Sequence, residues 1–224
     1  MIPAQGIVAV SWQREMLTIS EALLVLAIDE EDGDIVEAYQ ATLESILPGA
    51  VLAELVLQNR IGLADQRVVV IDPAPTGHRV LDQALFDILD TSRPRRLKYW
   101  MNTLTYKKFH EEIGHELVEK GVLVRKKKRL RLAGSYVEKT KGNGAAQPGL
   151  QSRIHAIVFA GQQPDLSEKV LLAFLVYGEL VRLVIPRGDR KLARKRMRNL
   201  IESADGASCL GETLDEILAI SCQA

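Results

Sequence analysis

The sequence predicts a mainly α protein: a single globular helical domain with a central helix bundle and one protruding basic β-hairpin. Three observations carry that expectation. Apolar residues recur at helical spacing along most of the chain, capping boxes open two apolar runs, and one short Val/Leu-flanked stretch is crowded with lysine and arginine. The 224 residues are 47% hydrophobic and 26% charged with mean hydropathy +0.01, enough for one substantial core.

Residues 1–16 lack a basic start and read as an N-terminal tail, leaving 17–224 as the domain. Thr18 to Glu21 form a capping box before Ala22–Ile28, which is apolar all round as a buried helix should be. The acidic stretch Asp29–Asp34 breaks the pattern. A helix then runs from Ile35 to about Leu47 and stops at Pro48-Gly49. The next places Val51, Leu52, Leu55 and Val56 on one face and closes over Asn59–Leu63. Gln66–Ile71 is the one β-like run in this half, and the turn Asp72–Gly77 leads into a helix striped by Leu81, Leu85, Ile88 and Leu89. Ser92, with Pro94 in the first turn, starts a helix carrying Leu97, Trp100, Met101 and Leu104. Tyr106, Phe109, Ile113 and Leu117 mark another, ended by Gly121.

Residues 122–132 read as the hairpin, two apolar arms around a basic tip, and 139–149 as a mobile loop rich in glycine. Asp165 to Glu168 cap a long helix that stays apolar to Val184. On the helix after Pro186, Ala193, Met197, Leu200 and Ile201 oppose a stripe of Arg190, Lys191, Arg194, Lys195 and Arg198. A last helix covers about Glu212 to Ile220.

Charge is neutral in total and partitioned along the chain. Residues 1–92 carry four arginines, no lysine and 15 carboxylates; residues 93–141 carry 15 basic and 5 acidic side chains; residues 142–224 carry 10 and 9. Three basic runs fall in the middle segment: Arg93, Arg95, Arg96 and Lys98; Lys107 and Lys108; and Arg125, Lys126, Lys127, Lys128, Arg129 with Arg131. Together they form an expected face for an anionic membrane. A winged-helix DNA reader ranks lowest, because Glu111, Glu112, Glu116 and Glu119 outnumber the cations of its would-be recognition helix. Nucleic acid is therefore not an expected partner.

Catalytic patterns are missing. The sequence has no GxSxG elbow, no phosphate loop lysine and no GxGxxG. His110 and His115 are five residues apart, about 140° around a helix, and do not share a metal. No enzyme activity, cofactor or metal is expected. Two cysteines, Cys209 and Cys222, without a zinc spacing fit a reducing cytoplasmic compartment. The longest uncharged apolar run, Val170–Gly178, is half of a bilayer span, so any membrane contact is expected from the surface.

Four blocks then bring a family into view. Leu17–Leu26 (LTISEALLVL), Leu47–Leu57 (LPGAVLAELVL), Ala74–Gly77 with Leu81–Leu85, and Leu117–Leu123 (LVEKGVL) stand in order, with a weaker echo in Arg194–Leu200. The chain resembles the Golgi phosphoprotein 3-like family of phosphatidylinositol-4-phosphate-binding proteins from about Leu17 onward. The resemblance implies a peripheral, non-enzymatic protein on the cytoplasmic surface of membranes, at the Golgi if the source is eukaryotic. It implies an anionic phospholipid headgroup as ligand, self-association through the hairpin, and the cytosolic tails of membrane enzymes as clients. The family's headgroup positions fall here on Tyr39, Pro48, Lys107 and His110, so Tyr39, Lys107 and His110 are the expected headgroup residues, with altered specificity because Pro48 offers no phosphate contact. A protein-binding adaptor or self-assembling scaffold without a lipid pocket remains the alternative.

Overall fold

The structure, a computed structural model, describes residues 17–29, 35–105, 107, 109–129, 136–142, 146–202 and 211–222. The first helix, α1 (Ile19–Ala27), is buried along its whole length. Its ends are satisfied by neighbours rather than by water. Thr18 and Glu21 form the expected capping box, the Ile19 amide donates to Glu54 Oε2 at 3.0 Å, and Gln147 Nε2 donates to the Leu26 and Ile28 carbonyls at 3.1 and 3.2 Å.

The expected break at Pro48-Gly49 does not occur. One helix, α2, runs from Glu37 to Leu57 with Pro48 inside it. An interior proline costs about 3 kcal/mol, but Leu47, Val51, Leu52 and Leu55 around it are at most 1% exposed. Each such burial contributes roughly 1.5–3 kcal/mol, so core packing outweighs the lost backbone bond. Gly49 has a different task. A Cβ there would lie 1.9 Å from Ser221 Oγ, so glycine lets the last helix cross α2 at close range. By length and composition α2 could cross a membrane, yet Leu43 to Leu55 lie largely inside the bundle, as in a core helix of a folded domain.

Asn59–Leu63 is not a simple closure. It leads into β1 (Ile61–Ala64), which pairs antiparallel with β2 (Arg67–Val70) in register Ile61↔Val70. Asp65 and Gln66 link them with φ of 50° and 59°, the left-handed pair that a tight hairpin turn requires. β3 (Arg95–Arg96) adds to β2, with Arg67 opposite Arg96. Between them α3 (Arg79–Asp90) buries Val80, Leu81, Ala84, Leu85 and Ile88, while Leu89 stays exposed. β3 occupies the place expected for a first helical turn, so α4 begins later, at Leu97, and ends at Thr105 with its Leu97, Trp100, Met101 and Leu104 stripe buried.

α5 (Phe109–Glu119) buries Phe109, Ile113 and Leu117 and ends where Gly121 adopts φ 73°. Tyr106, placed on the same stripe, lies outside the described residues. The hairpin is longer and differently registered than 122–132. β4 (Leu123–Arg129) pairs with β5 (Tyr136–Gly142), Leu123 opposite Gly142 and Arg129 opposite Tyr136. The basic run is thus a strand rather than a tip, and its described returning arm is Tyr136–Gly142; Leu130 and Leu132 lie outside the described residues. Residues 139–149 do not form one loop: 139–142 finish β5, and 146–149 begin α6 (Ala146–Ala160), a helix that the sequence reading did not assign. The N-terminal tail 1–16, residues 130–135 and 143–145 lie outside the described residues.

α7 (Leu166–Tyr177) opens with the Asp165/Glu168 capping box but stops at Gly178. Glu179, at φ 57°, turns the chain into a short 3-10 segment, Leu180–Leu183, so the run to Val184 is two pieces. α8 (Arg190–Ile201) and α9 (Glu212–Ser221) complete the chain. α2 touches α1, α3, α4, α5, α7 and α9, and the core is continuous through all of them. The chain is therefore a mainly α domain with a central bundle and a β-hairpin, as expected.

Two glycines separate packing from propensity. Gly49→Ala should destabilise by about 1–3 kcal/mol through overpacking against Ser221. Gly114→Ala, in α5 with nothing within 4 Å of the new methyl, should stabilise by about 0.5–1 kcal/mol. Thermal unfolding followed by circular dichroism checks both signs.

Candidate functional site

On α2, Gln40, Glu44 and Pro48 are four residues apart and share a face. That face, with the end of α4 and the start of α5, encloses a groove of about 430 Å³ whose polar lining includes Thr105, His110 and Glu111. Leu47, Leu104 and Phe109 supply its apolar floor. Pro48 and His110 both line this groove.

Tyr39 and Lys107 go elsewhere. Tyr39 is one position, about 100°, around α2 from Gln40. Its ring carries the Arg182 guanidinium 4.3 Å from the centroid. Lys107 Nζ pairs with Asp87 Oδ2 at 2.9 Å, tying the α4–α5 junction to α3. Among the described residues the groove has no lysine or arginine in its lining, and His110 Nε2 stands 3.9 Å from Glu111 Oε1. Lys108 lies outside the described residues.

The cations collect on edges. At the β3–α4 corner Arg67 sits across from Arg96, and Arg67 Nη1 donates to the Pro94 carbonyl at 3.0 Å. The Arg95 guanidinium lies 4.9 Å from the Tyr99 ring centroid, and Tyr99 meets Trp100 edge-on at 5.2 Å. Arg93, Arg96 and Lys98 are exposed and pair with no described carboxylate. In the hairpin Arg125, Lys126, Lys127, Lys128 and Arg129 are consecutive on β4, with Lys126 opposite Lys139 and Lys127 opposite Glu138. Arg131 lies outside the described residues.

Sequence reasoning missed Arg67, Arg182, Gln40 and Glu44. Arg67 reaches the corner only through the sheet, and Arg182 reaches Tyr39 only through tertiary packing, so spacing carried no sign of either. The two α2 residues were legible by stepping back four and eight from Pro48, once α2 is taken as continuous.

One polar cluster is internal. Glu21, 1% exposed, His78 and Glu116 hold their ligand atoms within 4.8 Å of one another, and the Lys120 ammonium lies among them. It is 2.6 Å from Glu21 Oε1 and 3.2 Å from His78 Nδ1. This lysine provides the positive charge that the group of ligands needs. Cys222 offers no nucleophile at neutral pH, because burial pushes its thiol up to about 11.

The sequence model of the Golgi phosphoprotein 3 (GPP34) family matches residues 19–219. The chain belongs to that family. The GPP34 match runs from the first residue of α1 into α9, so the groove, the β3–α4 corner, the hairpin and α8 all fall within it.

Removing the Lys120 ammonium isolates its contribution. Loss of one partner of a buried pair costs about 3–5 kcal/mol, and with the lysine end 34% exposed the expected cost of Lys120→Met is about 2–3 kcal/mol by denaturant unfolding. Lys98→Met, at an exposed position without a described partner, should cost less than about 0.5 kcal/mol.

Proposed function

We propose that this GPP34 protein is a non-enzymatic peripheral protein that docks on anionic, phosphate-bearing membrane surfaces. The observation that carries the reading is the β3–α4 corner. Its exposed Arg93, Arg96 and Lys98 have no described ion-pair partner, and exposed Leu89 and Tyr99 flank them in sequence. Cations beside an aromatic and an aliphatic side chain suit the headgroup boundary of a bilayer. Each surface cation adds about 1 kcal/mol of attraction to an anionic leaflet and loses it beyond a Debye length. Phosphatidylinositol 4-phosphate is the headgroup that the family suggests, and a cytoplasmic, Golgi-type membrane the location in a eukaryotic source.

Headgroup specificity is the finer part of the proposal. Tyr39, Lys107 and His110 occupy three separate environments, and Glu44 and Glu111 line the groove where His110 stands. That arrangement supports attraction by distributed charge over selection by a single phosphate pocket. Lys107→Ala and Lys139→Ala are then expected to weaken binding by similar small amounts. A loss confined to Lys107→Ala and to vesicles containing phosphatidylinositol 4-phosphate would establish a pocket instead.

Flotation with neutral and 30% anionic vesicles at two salt concentrations tests the main reading. Binding is expected on the anionic vesicles alone, weaker at high salt, and lowered at least tenfold in the triple variant Arg93→Gln, Arg96→Gln, Lys98→Gln, about 1.4 kcal/mol. Equal flotation on both vesicle types, or none on either, overturns it.

The hairpin favours a second reading, self-assembly or adaptor binding, including binding of the cytosolic tails of membrane enzymes. Among the described residues β4 and β5 pair only with each other, which leaves both outer edges open to another chain. A variant with residues 125–140 replaced by a Gly/Ser turn should remain folded and give a smaller mass by light scattering. An unchanged mass, or a monomeric parent, excludes self-assembly through the hairpin.

A further inference from the structure

α8 carries a charge pattern that its own stability does not require. Arg187 just ahead of it, then Arg190, Lys191, Arg194, Lys195 and Arg198, line an open hollow of about 600 Å³. On the helix they form two adjacent ridges, 190–194–198 and 191–195, with steps of about 6 Å. The neighbouring stripe of the helix is apolar and buried at Ala193, Met197 and Ile201. Same-sign neighbours four apart repel, and cations in the first turn oppose the helix dipole. The first turn of α8 holds no acidic residue, and the side chain of Asp189 makes no capping hydrogen bond.

Among the described residues the ridges also lack ion-pair partners. Arg190 Nε donates to the Ile185 carbonyl at 3.0 Å, which holds that side chain in place. No described carboxylate forms an ion pair with any of the six cations. Among the described residues Glu202 is the one carboxylate in the lining, and it lies just beyond the end of α8. Such a surface is complementary to an extended array of negative charge.

We propose that the outer face of α8 is a second docking surface for an anionic bilayer, separate from the β3–α4 corner. The proposal rests on the membrane reading above and adds a site to it. A bilayer fits better than a nucleic acid because apolar groups accompany the charge. Leu192 on the same helix is 46% exposed, and Tyr177, the last residue of α7, which packs on α8, is 37% exposed. A leucine and a tyrosine beside a basic ridge belong at the headgroup boundary. The surface reads charge density and does not enclose one headgroup.

The test uses the full chain with phosphatidylcholine vesicles, the same vesicles with 30% phosphatidylserine, and a single-stranded RNA oligomer. The variant Lys191→Gln, Arg194→Gln, Lys195→Gln, Arg198→Gln relieves repulsion in α8, so its melting temperature should match or exceed that of the parent. At about fivefold per cation, its affinity for the anionic vesicles should fall on the order of 100-fold or more. Lys191→Arg with Lys195→Arg keeps the charge and should keep the binding; a loss there means that side-chain geometry, not charge, is read, and overturns the proposal. Parental vesicle binding in the fourfold Gln variant also overturns it, and leaves the membrane reading intact if the Arg93, Arg96, Lys98 variant still fails. An α8-dependent affinity for RNA without one for vesicles overturns it in favour of nucleic acid. A parent protein that ignores anionic vesicles removes both readings.

Discussion

The buried carboxylate of Glu21 is the constraint around which the helices are arranged. One oxygen accepts the Thr18 amide at 2.8 Å and closes the start of α1; the other takes the Lys120 ammonium from the end of α5. Beside it Glu116 accepts the Val80 amide at 3.2 Å, which satisfies a donor at the start of α3. Three helix ends thus meet at two acidic side chains, and a charge that burial alone would penalise becomes a junction. The same device recurs at α7. Glu168 closes the capping box with Asp165 and holds the Arg153 guanidinium of α6 at 2.8 and 3.0 Å.

This use of carboxylates explains how a neutral chain obtains basic edges. In the acidic first segment Glu54 caps α1, Asp72 pairs with Arg60, Asp82 accepts the Thr76 amide and hydroxyl, and Asp87 holds Lys107. These acids are engaged in holding the fold. Arg93, Arg96 and Lys98 of the β3–α4 corner and Arg190, Lys191, Arg194, Lys195 and Arg198 of α8 form no ion pair with a described carboxylate, so equal totals of acid and base yield an uneven outer field.

The sequence made legible whatever depended on local periodicity or caps. Thr18/Glu21, Asp165/Glu168, the Leu97–Leu104 stripe and Gly121 all act in the structure as their spacing implied. Errors arose where tertiary packing reversed a local preference. Pro48-Gly49 has the form of a stop, but surrounding leucines hold α2 straight through it and α9 uses the missing Cβ. Asp65-Gln66 lacks the glycine that usually marks a tight hairpin, so β1 was hidden in a loop. α6 escaped notice because its few buried positions, Leu150, Ile154, Ile157 and Val158, lie in a segment of mixed polarity. For the candidate site, His110 and Pro48 line one groove, while Tyr39 stacks on Arg182 and Lys107 pairs with Asp87, contacts with no signature in one dimension.

The hairpin leaves the body directly after the Glu21–Lys120 junction, and that connection makes it a lever. Gly121 and Val122 separate the pivot from β4, and the Val122 amide is held by the Leu117 carbonyl at 2.9 Å. At about 3.4 Å per residue, seven paired residues reach about 24 Å, so a 5° tilt at the base displaces the far pair by about 2 Å. Small shifts in how α1, α3 and α5 meet are therefore magnified at Arg129 and Tyr136. The packing of three helix ends around two buried carboxylates sets the aim of this basic strand.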